Sequence, residues 1–227
     1  MLFRSAMALA NRVSINIEAA TPSGLAELTS TKDYNKDILK RLSWINSLEN
    51  KSTTYPNSTH TTQLIVGANS ESDREILQRM EKIYKKSNLK RTYFSAFTPV
   101  EGTEFATKTE CSTDRTSKLY NADSLLNDYK FSLKELVFDE NDQLSLSEDP
   151  KILAAKNMNI FPVEINTAPY RDLIRVPGIG TKSAKKIIAI RKNMPFTKKE
   201  ELKKLGVVVD RAEGYIKLDG AYQSTLD

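Results

Sequence analysis

Residues 173–188 read Leu-Ile-Arg-Val-Pro-Gly-Ile-Gly-Thr-Lys-Ser-Ala-Lys-Lys-Ile-Ile, and this stretch leaves the chain fewer ways to fold than any other. Leu173 and Val176, three apart, predict the end of one short helix, and Ala184, Ile187 and Ile188 the buried stripe of a second. Pro177, Gly178, Ile179 and Gly180 make a tight turn between them. Glycine suits such a turn where backbone passes close to a neighbour or takes a positive φ, which costs other residues about 1–2 kcal/mol. Gly180 also stands just before the second helix, where unpaired N–H groups and the positive end of the helix dipole favour an anion. Thr181 and Ser183 add hydroxyls there. At about 100° per residue, Lys182, Lys185 and Lys186 fall opposite the apolar stripe. The pattern reads as a phosphate cradle; a hairpin that only packs, or that binds protein, shares the same apolar spacing.

Charge favours the cradle. The chain carries 34 Lys+Arg against 29 Asp+Glu, a net +5. Residues 161–227 hold 13 basic and 8 acidic residues, so they account for the whole excess, and residues 1–160 balance at 21 against 21. A nucleic-acid footprint is localised in this way. The series Leu173-x-x-Val176-Pro-Gly-Ile-Gly-x-x-x-Ala184-x-x-Ile187 resembles the helix-hairpin-helix motif of DNA-binding proteins that do not read sequence. The approach through Val163-Glu-Ile-Asn166-Thr-Ala-Pro169 resembles it too, with Asn166 expected as an N-cap and Pro169 in the first turn. The candidate DNA-binding residues are Pro177, Gly178, Ile179, Gly180, Lys182, Ser183, Lys185 and Lys186, holding backbone phosphates.

No run approaches the ~20 apolar residues of a membrane span, and the start of the chain has too short an apolar run for a secretion signal. A cytoplasmic protein with no membrane partner is expected. One cysteine, Cys111, allows no internal disulfide, and with a single histidine, His60, it leaves no thiolate or imidazole metal cluster. No metal ligands are expected. The chain shows no Ser/His/Asp or Cys/His set and no paired carboxylates at a persuasive spacing, so no catalytic residue is assigned.

The front of the chain reads as βα units. Val13, Ile15 and Ile17 alternate with Ser14, Asn16 and Glu18, predicting a strand. Helical spacing follows at Ile38, Leu42 and Ile45, then a polar loop over 50–60 and a second strand over 62–68. Ser72-x-x-Glu75 is a capping box, opening a helix with Ile76, Leu77, Met80 and Ile83 on one face. A third strand spans 91–97. Strands alternating with helices at this spacing predict a parallel sheet with right-handed crossovers. The abrupt helical start at 6–10 predicts that further βα units precede it. An exposed sheet edge predicts poor solubility.

Leu64-Ile-Val-Gly-Ala-x-x-Glu71 and Tyr93-Phe-Ser-Ala-Phe-Thr-Pro-x-x-Gly102-Thr103 resemble the last strands of radical S-adenosylmethionine enzymes, and residues 13–18 the strand before them. The order of parts over about residues 11–220 is similar to that of the DNA modification/repair radical-SAM proteins with a C-terminal helix-hairpin-helix. The resemblance implies an α/β partial barrel, its last βα units, followed by a small all-α domain. It implies that Asn16 and Glu18 face the ribose or methionine part of the cofactor and that Gly67 lets the adenine approach. S-adenosylmethionine and a [4Fe–4S] cluster are implied for the full-length family. The Cys-x-x-x-Cys-x-x-Cys loop is lacking, so no cofactor is expected for this chain alone, which would be inactive without the missing N-terminal half of the barrel. The alternative is a complete non-catalytic DNA-binding adaptor. The expected domains are βα units at 1–111, a helical connector at 112–160, the hairpin domain at 161–220 and a tail at 221–227. Within the connector, the acidic turn at 139–144 lacks the glycine and closing glutamate of a calcium loop. Thr197-x-x-Glu200 is expected to cap a further helix, whose Leu202, Leu205, Val207 and Val209 pack beneath the hairpin.

Overall fold

The computed structural model describes residues 2–50 and 59–218. Met1, most of the polar loop and the expected tail lie outside the described residues. The chain folds into two compact units, one of residues 1–127 with 132–134 and 138–147, the other of 128–131, 135–137 and 148–227. Residues 112–160, expected as a connector, contribute helices to both.

The first unit is mixed α/β. Its elements are α1 (Leu2–Leu9), β1 (Arg12–Ser14), α2 (Pro22–Leu28), a π-helical turn (Tyr34–Leu39) running into α3 (Lys40–Asn50), β2 (Thr59–Val66), α4 (Asp73–Lys86), β3 (Leu89–Ala96) and α5 (Thr113–Asn127). The sheet is parallel throughout, in the order β1-β2-β3, with Val13 opposite His60 and Leu64 opposite Phe94. β2 is central, and Thr62, Leu64 and Val66 are fully buried, as expected for a parallel strand covered by crossover helices. Closure into a barrel is no part of the observed fold: three strands make an open sheet, and a barrel needs about eight at a fixed tilt. β1 is also shorter than its alternation predicts. The regular strand ends at Ser14, but the Ile15 and Ile17 amides still donate to the Thr61 and Gln63 carbonyls of β2, and a bridge pairs Glu18 with Leu64, where Glu18 takes φ +61.

An exposed sheet edge was expected, and the outer edge of β3 is partly covered. The Phe94 amide donates to the Tyr120 hydroxyl of α5 at 2.9 Å. Caps fix the helix starts. Ser72 and Glu75 form the expected reciprocal box on α4, with bonds of 3.2 and 2.9 Å. Thr21 caps α2, accepting from Gly24 N–H at 2.9 Å, and is itself held by the buried Glu71 carboxylate, which also takes the Ala20 and Thr21 amides.

The second unit comprises α6 (Pro150–Lys156), β4 (Val163–Glu164), α7 (Tyr170–Leu173), α8 (Thr181–Arg191), α9 (Lys199–Lys203), α10 (Val209–Ala212) and β5 (Ile216–Lys217). Helices this short cannot bury a core singly, so they share one: Ile165, Leu173, Val176, Ile179, Ile187 and Leu202 are all at most 1% exposed. β4 and β5 pair in parallel, Val163 opposite Ile216, tying the entry of this unit to its end.

Candidate nucleic-acid interface

The interface is built around the turn between α7 and α8. α7 starts behind Pro169, which is its N-cap. Asn166 does not cap it, contrary to the sequence expectation. Its side-chain amide instead donates to the Phe196 carbonyl at 2.9 Å and accepts from the Phe196 amide at 2.8 Å, pinning the entry strand to the segment after α8. Leu173 and Val176 are fully buried, and Ile179 plugs the same core from the turn.

Gly178 takes φ +83, and a Cβ there would run into the Val208 carbonyl oxygen and come within 3.2 Å of Arg211 Cβ. Its own carbonyl accepts from Val208 N–H at 3.0 Å. Glycine at 178 is thus demanded twice, by dihedral and by contact. Gly180 differs. Its φ of −88° and ψ of 167° are open to any residue, and a Cβ would meet only the Tyr129 hydroxyl, at 3.7 Å. As N-cap of α8 it offers no side chain to the first-turn amides of Thr181, Lys182 and Ser183, which have no acceptor within the helix one turn back. The place a capping side chain would take is left open.

The lysines expected outside are outside: Lys182, Lys185 and Lys186 are exposed, while Ala184 and Ile187 are fully buried and Ile188 partly so. Pro177 is buried. Ser183 differs from its reading as a hydroxyl in the cradle. It is 6% exposed and its Oγ donates to the Leu205 carbonyl at 3.1 Å, so only its amide remains for an anion.

Two buried cations brace this region, Arg175 at α7 and Lys151 at the turn, and sequence reading missed both. Arg175 is 3% exposed; its Nε and Nη2 meet the two Glu135 oxygens at 2.7 and 3.1 Å, and its guanidinium lies over Phe131. Lys151 is 8% exposed, donates to the Ile179 carbonyl at 2.7 Å and rests 4.4 Å from the Tyr129 ring centre. Burial pulls Lys151 down from 10.5 to about 7, against the neighbouring Asp149 carboxylate and with Arg211 and Arg175. Asp149 itself stays below the usual carboxylate range: burial pushes it up, but the Arg211 bond at 2.7 Å and the Lys151 and Ile152 amides outweigh that. A signal for these pairs would have to span 28 or 40 residues, and no local pattern does.

A second hairpin was also missed, and here a signal existed. Gly206 takes φ +85, matching Gly178, and is followed by Val207, Val208 and Ala212 at the offsets of Ile179, Gly180 and Ala184. Leu202 and Leu205, three apart, correspond to Leu173 and Val176, although the second turn lacks a residue in place of Pro177. Leu202, Val207 and Val209 pack in the shared core as expected. α9 starts one residue later than its capping pattern implied, with Glu201 rather than Glu200 accepting from the Thr197 and Lys198 amides.

The cofactor candidates lie in the first unit. Asn16 and Glu18 line one cleft of about 490 Å³, together with Ser14, Lys32, Asp37 and Arg41. Glu18 pairs with Lys32 at 3.4 Å. Gly67 does not line it. The close approach expected of an adenine is taken by Cys111, whose Cβ would lie 2.7 Å from a Cβ on Gly67. Among the described residues no three His, Cys, Asp or Glu side chains gather as a metal site. No helix among them is long and apolar enough to cross a membrane.

No curated protein and no solved structure matches the chain. Residues 158–210 match the helix-hairpin-helix motif family, and that region of the second unit is a helix-hairpin-helix.

Proposed function

We propose that the second unit binds DNA through its backbone without reading sequence, by seating a phosphate on the α8 N-terminus. The observation that carries this reading is the open capping place at Gly180, faced by the first-turn amides of α8 and flanked by the exposed Lys182, Lys185 and Lys186. Amides at a helix start hold a phosphate at fixed geometry, and ammonium groups nearby add attraction that salt weakens. Pro177, Gly178 and Ile179 set the turn; Gly180, Lys182, Ser183 (by its amide), Lys185 and Lys186 meet the anion. For two or three phosphates, log K falls with log salt at a slope of about −2 to −3, and Kd lies on the order of 10⁻⁴ to 10⁻⁶ M. Anisotropy titration of a plain duplex over a salt series tests this. Lys182→Ala lowers the slope by about 1 on every sequence. Association indifferent to salt, or steep preference for one sequence, would refute it.

For the first unit we propose the last βα units of a radical-SAM barrel acting in DNA modification or repair, completed by strands from outside residues 1–227. The parallel order β1-β2-β3 and the polar cleft holding Asn16 and Glu18 support this reading. The residues present do not fit a [4Fe–4S] cluster, since one cysteine cannot supply several thiolates and Cys111 is buried against Gly67. The cleft is left to bind S-adenosylmethionine alone, and calorimetry checks it: binding lost on Asn16→Ala supports the reading. No heat at millimolar ligand favours the adaptor alternative, a DNA-binding chain whose first unit docks a partner.

A further inference from the structure

We propose that the Tyr129 hydroxyl is a further phosphate donor of the cradle, supplied from outside the hairpin. The inference rests on the DNA-binding reading of α8 and adds a residue that the motif does not contain.

The geometry is specific to the space left by Gly180. A side chain at an N-cap turns back over the free amides of its helix, and its oxygen accepts from one of them. Gly180 leaves that volume open, and the Tyr129 hydroxyl borders it, 3.7 Å from where a Cβ would stand. An anion on the Thr181, Lys182 and Ser183 amides would thus sit beside a phenol. Among the described residues no hydrogen bond involves that hydroxyl. Burial raises the Tyr129 pKa, with Asp128 and Asp149 pushing the same way, so the phenol keeps its proton and remains a donor.

Tyr129 is also held in place. Its ring packs against the core of the second unit, and the Lys151 ammonium lies 4.4 Å from its centre. The same ammonium bonds the Ile179 carbonyl at 2.7 Å, one residue before Gly180. A single buried cation therefore fixes both the turn and the ring beside it, so the hydroxyl and the amides keep one relative position. Tyrosine is among the residues that contact DNA phosphates, and a neutral donor adds affinity without releasing a counterion.

That last point supplies the test. Tyr129→Phe keeps the ring and its packing and removes only the oxygen. Duplex binding by anisotropy is expected to weaken about tenfold, equally at every salt concentration, with the slope of log K against log salt unchanged and the melting temperature within about 1 °C of wild type. Lys182→Ala, by contrast, lowers the slope. Wild-type affinity for Tyr129→Phe, with wild-type and Lys182→Ala behaving as above, overturns this proposal and leaves the DNA-binding reading intact. A change in slope on Tyr129→Phe also overturns it, because the effect would then be one of charge. Failure of the wild-type chain to bind overturns the DNA-binding reading and the proposal together.

Discussion

Hairpin 173–188 and hairpin 202–216 bend at glycines of nearly the same conformation, φ +83 at Gly178 and +85 at Gly206, and each drops a fully buried alanine, Ala184 or Ala212, into the shared core. What they present outward is opposite. Where the first has Gly180, the second has Val208, 52% exposed; where the first has Lys182 and Lys185, the second has Asp210 and Glu213. One copy is open and basic at its helix start, the other filled and acidic. The second instead serves the first, since Val208 N–H donates to the Gly178 carbonyl and its own carbonyl walls off the Gly178 Cα. A repeated backbone therefore does not imply a repeated site. Side chains at three offsets, 180/208, 182/210 and 185/213, are what separate the two copies.

The largest effect should come from telling the two glycines apart. Gly178→Val combines a left-handed dihedral with a collision against backbone, and should cost about 3 kcal/mol or more. Gly206→Ala has the same dihedral, but its Cβ would meet only Ser183 Oγ at 3.5 Å, an ordinary contact. It should cost about 1–2 kcal/mol. Denaturant unfolding of both variants checks this, and equal losses would mean that the second hairpin does not wall the first.

Next in size is Lys151, which braces only the first turn. Its folded pKa of about 7 lies below its unfolded 10.5, so above pH 7 the unfolded chain binds more protons. Stability should then rise with pH, by up to about 1.4 kcal/mol per unit between pH 7 and 10, and this group should add no slope below 7. Asp149, Arg211, Arg175 and Tyr129 are the charged or titratable groups around it. Lys151→Met removes the titrating group and so should abolish the slope, while leaving the buried Ile179 carbonyl without its donor. Unfolding at pH 6.5, 7.5 and 8.5 distinguishes the two proteins.

These cases show what could be read in advance. The first hairpin was legible because its signals are local: glycines within a turn, an apolar stripe and a lysine face. The Ser72 box was legible for the same reason. Asn166, Arg175 and Lys151 were not, because each is satisfied by a partner that only the fold brings near: Phe196, Glu135 and Ile179. Ser183 has the residue type of a phosphate ligand, yet packing turns its hydroxyl to Leu205. The second hairpin was hidden by its own divergence, since Val208 erases the second glycine by which such a turn is recognised. In the first unit, alternation located the strands, but it carries no information on whether a sheet closes.

A smaller effect is expected from converting one copy towards the other. Val208→Gly with Asp210→Lys gives the second hairpin an open cap and a basic first turn. If those positions are what separate the copies, the salt slope should steepen by about 1, with affinity at low salt rising about tenfold. An unchanged slope in a folded variant would place the difference elsewhere.

The smallest effect on stability is the most informative about Gly180. Nothing within the protein requires glycine there: the dihedrals suit any residue, and a methyl would touch only the Tyr129 hydroxyl. Gly180→Ala should therefore change stability by no more than about 0.5 kcal/mol, in contrast to Gly178 two residues earlier. Gly180→Asp should even stabilise the fold by a few tenths of a kcal/mol, since a carboxylate satisfies the first-turn amides. In both variants the open place is filled, by a methyl or by a competing anion, and duplex binding should fall, most in the aspartate. A glycine that the fold does not need, and whose replacement costs only binding, is there for what approaches from outside. If binding survives Gly180→Asp, the α8 amides are not where the phosphate sits.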